Sequence, residues 1–370
     1  MPAASDLREL GRRVQVCREQ AHVQPAELAR RAQIKLDRLE AFEQGQGGLG
    51  MAEALGLARA LGVPRASFLH VDAAVPRAYE DPDVLLRNHA THSLEEADRQ
   101  ALRRAVVRAD QFVEVMVVTG QPPLRADPTL FRLTPPGDEP YESGYERART
   151  ARAALARALP AQAAMDRPLR NLARLLEDHL GILVVERAFQ TPYVTEASCR
   201  RGPARLIAVD PRPSEVSRRW ALAHGLAHQL LDLREEDALP DEAPERFSLD
   251  KPPREQRADA FAAMFLAPRE AVVRILPRAP AQLGEARQAV DLCRRELGLG
   301  FVPMVRQMQD LNLLSPDLAD ALVTSPGTDV AEGLEEPRLF DGLRRRVLAA
   351  LEADGITPGR ARELDPDLPA

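Results

Sequence analysis

The chain has few aromatic residues, almost no lysine, and no two cysteines close enough in sequence to suggest a shared site. Aromatics make up 4% of residues, so its cores must be built mainly from Leu, Ala and Val. Lysine occurs only at Lys35 and Lys251, which leaves arginine to carry the positive charge. Cys17, Cys199 and Cys293 are widely separated, which argues against a disulfide framework or a cysteine zinc site and suits a reducing cytoplasm. No run of about 18 apolar residues exists, so membrane spanning is not indicated. The opening Met-Pro-Ala-Ala-Ser-Asp is polar and leads into an amphipathic helix, so neither is export. Net positive charge is missing too. A balance of −6 argues against a chain that coats nucleic acid indiscriminately, and any DNA contact must come from a local patch.

What is present is organised in blocks. A length of 370 residues allows two or three domains, and 45% hydrophobic with 29% charged residues is the composition of globular ones. Residues 1–70 carry ten Arg/Lys against eight Asp/Glu and read as short helices with tight breaks. Leu7, Leu10, Val14 and Cys17 fall at helical spacing, and Pro25 suits a first helical position. Further helices are expected over about 35–43, ending at Gly45, Gly47 and Gly48, over 51–61, and after Pro64.

Residues 71–140 read as a connector with one long helix, opened by a Ser93/Glu96 capping box and running to Val118, then a proline-rich linker. Residues 141–270 mix helices with strands at 182–186 and 205–209, separated by a polar stretch. Residues 271–324 form a helical extension, and 325–370 a tail with one helix near 337–353. The expected fold is therefore mainly α with a small β-sheet: a five-helix N-terminal domain, an α+β domain and a helical C-terminal extension.

The stretch from Ala26 to Gly45 places Leu28-Ala29 at the centre of one helix, then a sharp turn, then a helix ending Phe42-Glu43-Gln44-Gly45. It resembles the XRE (Cro/C1-type) helix-turn-helix family, with its lambda-repressor-like fold, over roughly residues 7–69. A recognition helix shows polar side chains to base edges and packs its other face on the domain. Lys35, Leu36, Asp37, Arg38 and Glu40 are expected outward, with Ile34, Leu39 and Phe42 inward. Arg38 suits a bidentate guanine contact, and Lys35 a base or a phosphate. Arg12, Arg13, Arg30 and Arg31 are candidate phosphate neutralisers. Asp37 and Glu40 add negative charge to the same face. A helical bundle serving only protein contacts, antitoxin-like, is the alternative.

His224 and His228 stand four apart in Trp220-Ala-Leu-Ala-His-Gly-Leu-Ala-His228, a spacing that projects both imidazoles from one helix face toward a shared metal. Alone this pattern is weak. Its surroundings are stronger: a strand ending Val209-Asp210, an Arg-containing helix entry, then Glu255-Gln-Arg-Ala-Asp259-Ala-Phe-Ala before Leu266-Ala-Pro268. Together they resemble the ImmA/IrrE metallopeptidase family over about residues 168–270. The resemblance implies a zincin-like fold, zinc (Zn2+) held by His224, His228 and Glu255, and Asp259 orienting a ligand histidine. It fails at one position. Family peptidases read His-Glu-x-x-His, where the Glu takes the proton of the water at the metal. This chain has Gly225, and losing a positioned base costs roughly 10²–10⁴-fold. Glu235, Glu236, Asp237 and Asp241 follow in the next loop, but nothing in the sequence aims one at the metal.

The function expected from the sequence is a cytoplasmic, homodimeric transcriptional regulator. Its first domain binds double-stranded operator DNA, and its second is a zinc-binding, catalytically impaired sensor with a cleft for a protein or peptide ligand. An active zinc endopeptidase acting on a repressor in stress response is the rival reading, as is a binding module that contacts no DNA.

Overall fold

Apolar residues three and four apart lay down each N-terminal helix, and one core collects their inward faces. The computed structural model of the chain describes residues 4–20, 23–61, 83–88, 94–121, 123–124, 139–192, 194–233, 252–325, 342–365 and 368. It falls into two units, Met1–Pro82 and Asp83–Ala370.

In the first unit α1 (Ala4–Gln20) buries Leu10, Val14 and Cys17. Helix α2 (Pro25–Ala32) starts on its proline, where the missing N–H has no helical acceptor to lose. Gln33 ends it in the left-handed region, at φ 57°, and the chain turns into α3 (Leu36–Glu43). Helix α4 (Met51–Leu61) completes the described part. Leu28, Ala29, Ala32, Leu39, Phe42, Leu57, Ala58 and Leu61 pack with the α1 residues into one core. Arg18 binds the Glu43 carboxylate through two hydrogen bonds of 2.8 Å, which fastens α1 to α3. The helix expected after Pro64 lies outside the described residues.

The second unit is mainly helical around a four-stranded sheet. Its strands are β1 (Asp83–Asn88), β2 (Leu183–Glu186), β3 (Val194–Arg201) and β4 (Ala204–Val209), in the order β1-β3-β4-β2. Strand β3 is antiparallel to both neighbours, while β2 runs parallel to β4. Every residue of β4 is buried, because both faces of the sheet are covered. Leu206 and Ala208 look to one side, where α5 (Glu96–Val118) contributes Leu102, Val106 and Phe112. Ile207 and Val209 look to the other. There they meet a core drawn from α6 (Pro140–Ala158), α7 (Pro160–Ala163), α8 (Leu172–Leu180), α9 (Glu215–Ala227) and α10 (Pro253–Leu266). Helices α11 (Arg269–Ile275), α12 (Leu283–Leu297), α13 (Phe301–Asp310) and α14 (Pro316–Thr324) extend that core.

Four features depart from the sequence reading. The polar stretch between the two expected strands contains β3, and β1 pairs with it along its whole length. Helix α5 is capped at Glu95, without a side-chain hydrogen bond, and Ser93 lies outside the described residues. Helix α5 is no separate connector, since its apolar stripe packs on the sheet. The buried Asp98 ties its first turn to residues 187–191: it accepts from Gln190 N (2.9 Å), Thr191 N (2.7 Å), Thr191 Oγ1 (2.8 Å) and Arg187 (3.1 Å). Among its described residues the C-terminal tail holds two helices, α15 (Gly342–Glu352) and α16 (Pro358–Leu364), whose Leu343, Val347, Ala350 and Leu364 join the α5 core.

Candidate functional site

Both motif histidines come from one continuous helical segment whose geometry changes between them. Helix α9 is α-helical through Ala227, after which His228–Asp232 forms a π-helical turn. Gln229 pins that turn to the sheet by donating to the carbonyls of Cys199 (3.0 Å) and Leu206 (2.8 Å). The π turn sets Asp232 Oδ2 2.7 Å from His228 Nδ1, so ring and carboxylate brace each other within one turn. Asp259 on α10 does the same for the other ring, with Oδ1 3.1 Å from His224 Nδ1.

A carboxylate behind each Nδ1 favours a proton there, so that a metal ion can take each Nε2 in place of any proton it carries. The two Nε2 atoms face each other at 3.1 Å. Glu255, in the first turn of α10, meets them with Oε2 3.2 Å from His224 Nε2 and Oε1 3.4 Å from His228 Nε2. Three donors bonded to one zinc at 2.0–2.1 Å in a tetrahedral site stand about 3.3 Å apart. The observed spacings therefore fit a shared ion of that kind.

The electrostatics agree. Burial acts to lower the His228 pKa, but Asp232 and Glu255 outweigh it and raise the value to about 10. Burial acts to raise Glu255, and the two imidazoles overcome it to hold the carboxyl well below its ordinary range. The site thus favours a positive charge where the donors converge. Arg257 of α10 pairs with the second oxygen of Asp232.

On the sheet side β3 turns Glu196 and Ser198 toward α9. One ligand atom each of Glu196, His224 and His228 lies within 4.8 Å of the others, and all three residues are buried. The Ser198 hydroxyl donates to Glu196 Oε1 at 2.6 Å and stands 3.2 Å from the Gly225 carbonyl oxygen. Glu196 Oε2 is buried without a hydrogen-bond partner. The donor set and this unpartnered oxygen both suit a divalent cation at the centre.

The structure thus brings His224, His228, Glu255 and Asp259 together, and adds Asp232 and Glu196, which the sequence reading did not single out. Only the carboxylate four residues after His228 carried a usable signal, since that spacing returns to the same helix face. Glu196 carried none, because its strand had not been identified. Glu235, Glu236, Asp237 and Asp241 lie outside the described residues.

In the first unit Lys35, Leu36, Asp37, Arg38 and Glu40 are exposed along α3, and Leu39 and Phe42 are buried beneath them. Arg38 is not a free cation: it donates to Glu53 at 2.9 and 3.1 Å and to the Gly48 carbonyl at 2.8 Å. Arg12 and Arg30 are exposed, in salt bridges with Glu9 (3.2 Å) and Glu27 (2.7 Å). Arg13 is buried and also meets Glu9, at 3.2 Å. Arg31 shares Glu27 with Arg30.

Comparison with known families matches these regions separately. Residues 9–70 match a helix-turn-helix domain, and residues 177–282 match the IrrE N-terminal-like domain. Searches of curated proteins and of solved structures returned no match. No described helix is long and apolar enough to cross a membrane. The chain joins a helix-turn-helix domain to an IrrE N-terminal-like domain.

Proposed function

We propose that this protein is a cytoplasmic, homodimeric, DNA-binding transcriptional regulator whose second unit binds a zinc-type ion and uses that centre to receive a signal. The observation that carries the second half is the convergence of His224 Nε2, His228 Nε2 and Glu255, with a carboxylate behind each ring. The first half rests on the helix-turn-helix match and on the exposed polar face of α3. When bound, the ion supplies a Lewis-acidic position for water, a peptide carbonyl or an anionic ligand. His224, His228 and Glu255 hold it, while Asp259 and Asp232 fix the rings and keep their protons on Nδ1. Helix α9 brings no base of its own, since position 225 is glycine. From the helix side, the centre is one that binds a protein or peptide ligand rather than cutting it.

On DNA, Lys35 and Arg38 supply the contacts from α3, with Arg12 and Arg30 on the phosphates. Arg38 must give up its Glu53 pair to reach a base, and an exposed pair of that kind is weakly held. Mobility shifts on DNA upstream of the gene itself, with and without a chelator, test the proposal. Affinity should fall steeply with salt, and metal removal should change it about fivefold or more. Absence of salt-dependent binding would favour the protein-contact module. Binding that ignores metal would remove the sensing role.

A further inference from the structure

Gly225 deletes a carboxylate from α9, yet the space beside it is filled. A Cβ at position 225 would stand 2.8 Å from Glu196 Oε1, 2.9 Å from Ser198 Oγ and 3.0 Å from Ile207 Cγ2. None of these can retreat freely. The Ser198 hydroxyl clamps the Glu196 carboxylate, and Ile207 sits in β4 with both faces of the sheet covered. The glycine is thus needed for close approach, while the helix backbone around it is ordinary α-helix.

We propose that Glu196 is the carboxylate of this centre, delivered from strand β3 into the space that Gly225 leaves open. The inference rests on the metal site proposed above and goes beyond it, because it returns to the centre the group whose loss the sequence implies. Three observations meet here. Glu196 is fully buried among groups that offer it one hydrogen bond, from Ser198 to Oε1. Its Oε2 has no partner, and a buried carboxylate oxygen is costly to leave so. One of its oxygens lies within 4.8 Å of a ring nitrogen of each histidine, so it belongs to the same cluster of donors. We therefore assign Glu196, on the strand side of the histidines, a place beside the position left open by His224, His228 and Glu255 rather than a ligand position. A carboxylate there accepts a hydrogen bond, or a proton, from water in that position. Glycine at 225 and glutamate at 196 form an exchange: one helix-borne carboxylate for one strand-borne carboxylate. Putting glutamate back at 225 alone does not rebuild the centre. It forces a second side chain onto the first.

A steric cycle on metal-free protein and a metal cycle on loaded protein test this. In thermal unfolding, Gly225→Glu should lower the midpoint markedly, and Glu196→Ala with Gly225→Glu should recover most of the loss. Effects that simply add would overturn the exchange. In zinc titration, Glu196→Gln should leave affinity within about a hundredfold of wild type, the range for a group that is not itself a ligand, and a larger loss is expected only of a direct ligand. The larger loss would make Glu196 a fourth ligand and overturn its place at the open position. In cobalt-loaded protein, thiocyanate should bind about tenfold or more tightly to Glu196→Gln, because the carboxylate that competes with an anion for that position is gone. Unchanged thiocyanate affinity overturns the proposal as well. If wild type takes up no metal while the thermal coupling persists, the metal reading fails and the steric exchange stands.

Discussion

The two units handle charge in opposite ways. Among the described residues, the helix-turn-helix unit fully buries one charged residue, Arg13, half-buries the Arg18–Glu43 pair, and exposes most of its other charge. The second unit buries Asp98, Glu177, Glu196, Arg219, His224 and His228, among others, inside or beside its cores. A surface of exposed ion pairs is weakly held and can be rearranged by a charged partner. A buried polar cluster is costly unless every member is partnered, so its geometry is fixed before any ligand arrives. The first unit is built to present charge, the second to hold it.

The contrast can be broken at several points, and the largest effect is expected deep in the second unit. Asp98→Ala strips acceptors from Gln190, Thr191 and Arg187 at once and should destabilise the fold by about 3–5 kcal/mol in chemical denaturation. A loss below about 1 kcal/mol would mean that the buried cluster is not rigid. Asp98 also carries a pH signature. Burial acts to raise its carboxyl pKa, but the hydrogen bonds from Thr191, Arg187 and Gln190 prevail and hold it below the ordinary aspartate value. Its stabilisation is therefore present above pH 3.8 and lost as pH falls through the lower folded value. Asp98→Asn should flatten that acid limb.

Next in size is Asp259→Asn, which removes the carboxylate behind His224 and should weaken zinc binding about 10–100-fold at nearly unchanged stability. The smallest stability effect belongs to the first unit. Arg38→Ala breaks an exposed pair with Glu53 and should leave the unfolding midpoint nearly unchanged while clearly reducing DNA affinity. A large stability loss there, with DNA binding intact, would reverse the proposed role of α3.

The same contrast decides what the sequence disclosed. Helices α2, α3 and α4 are legible because their apolar residues line one face and Pro25 and Gly45 punctuate them. In the second unit α9 and α10 are legible for another reason, since His224, His228 and Glu255 form a spaced motif. Strand β3 was hidden by its polar residues. Its α9-facing positions are Glu196 and Ser198, so the apolar alternation that marks a half-buried strand is missing and the segment reads as a loop. Strand β1 gave no turn signal tying it to a partner more than a hundred residues away. Asp232 is aimed at His228 by a π turn, and a register of that kind leaves no mark on hydrophobic periodicity. Gly225 reads as a loss until the strand beside it is placed.

The account stands on the metal centre, and metal analysis of the purified protein tests it most directly. Wild type should carry about one zinc per chain, and His228→Ala close to none, with both folded by circular dichroism. Equal metal content in the two proteins, or none in a wild type supplied with zinc, would contradict it.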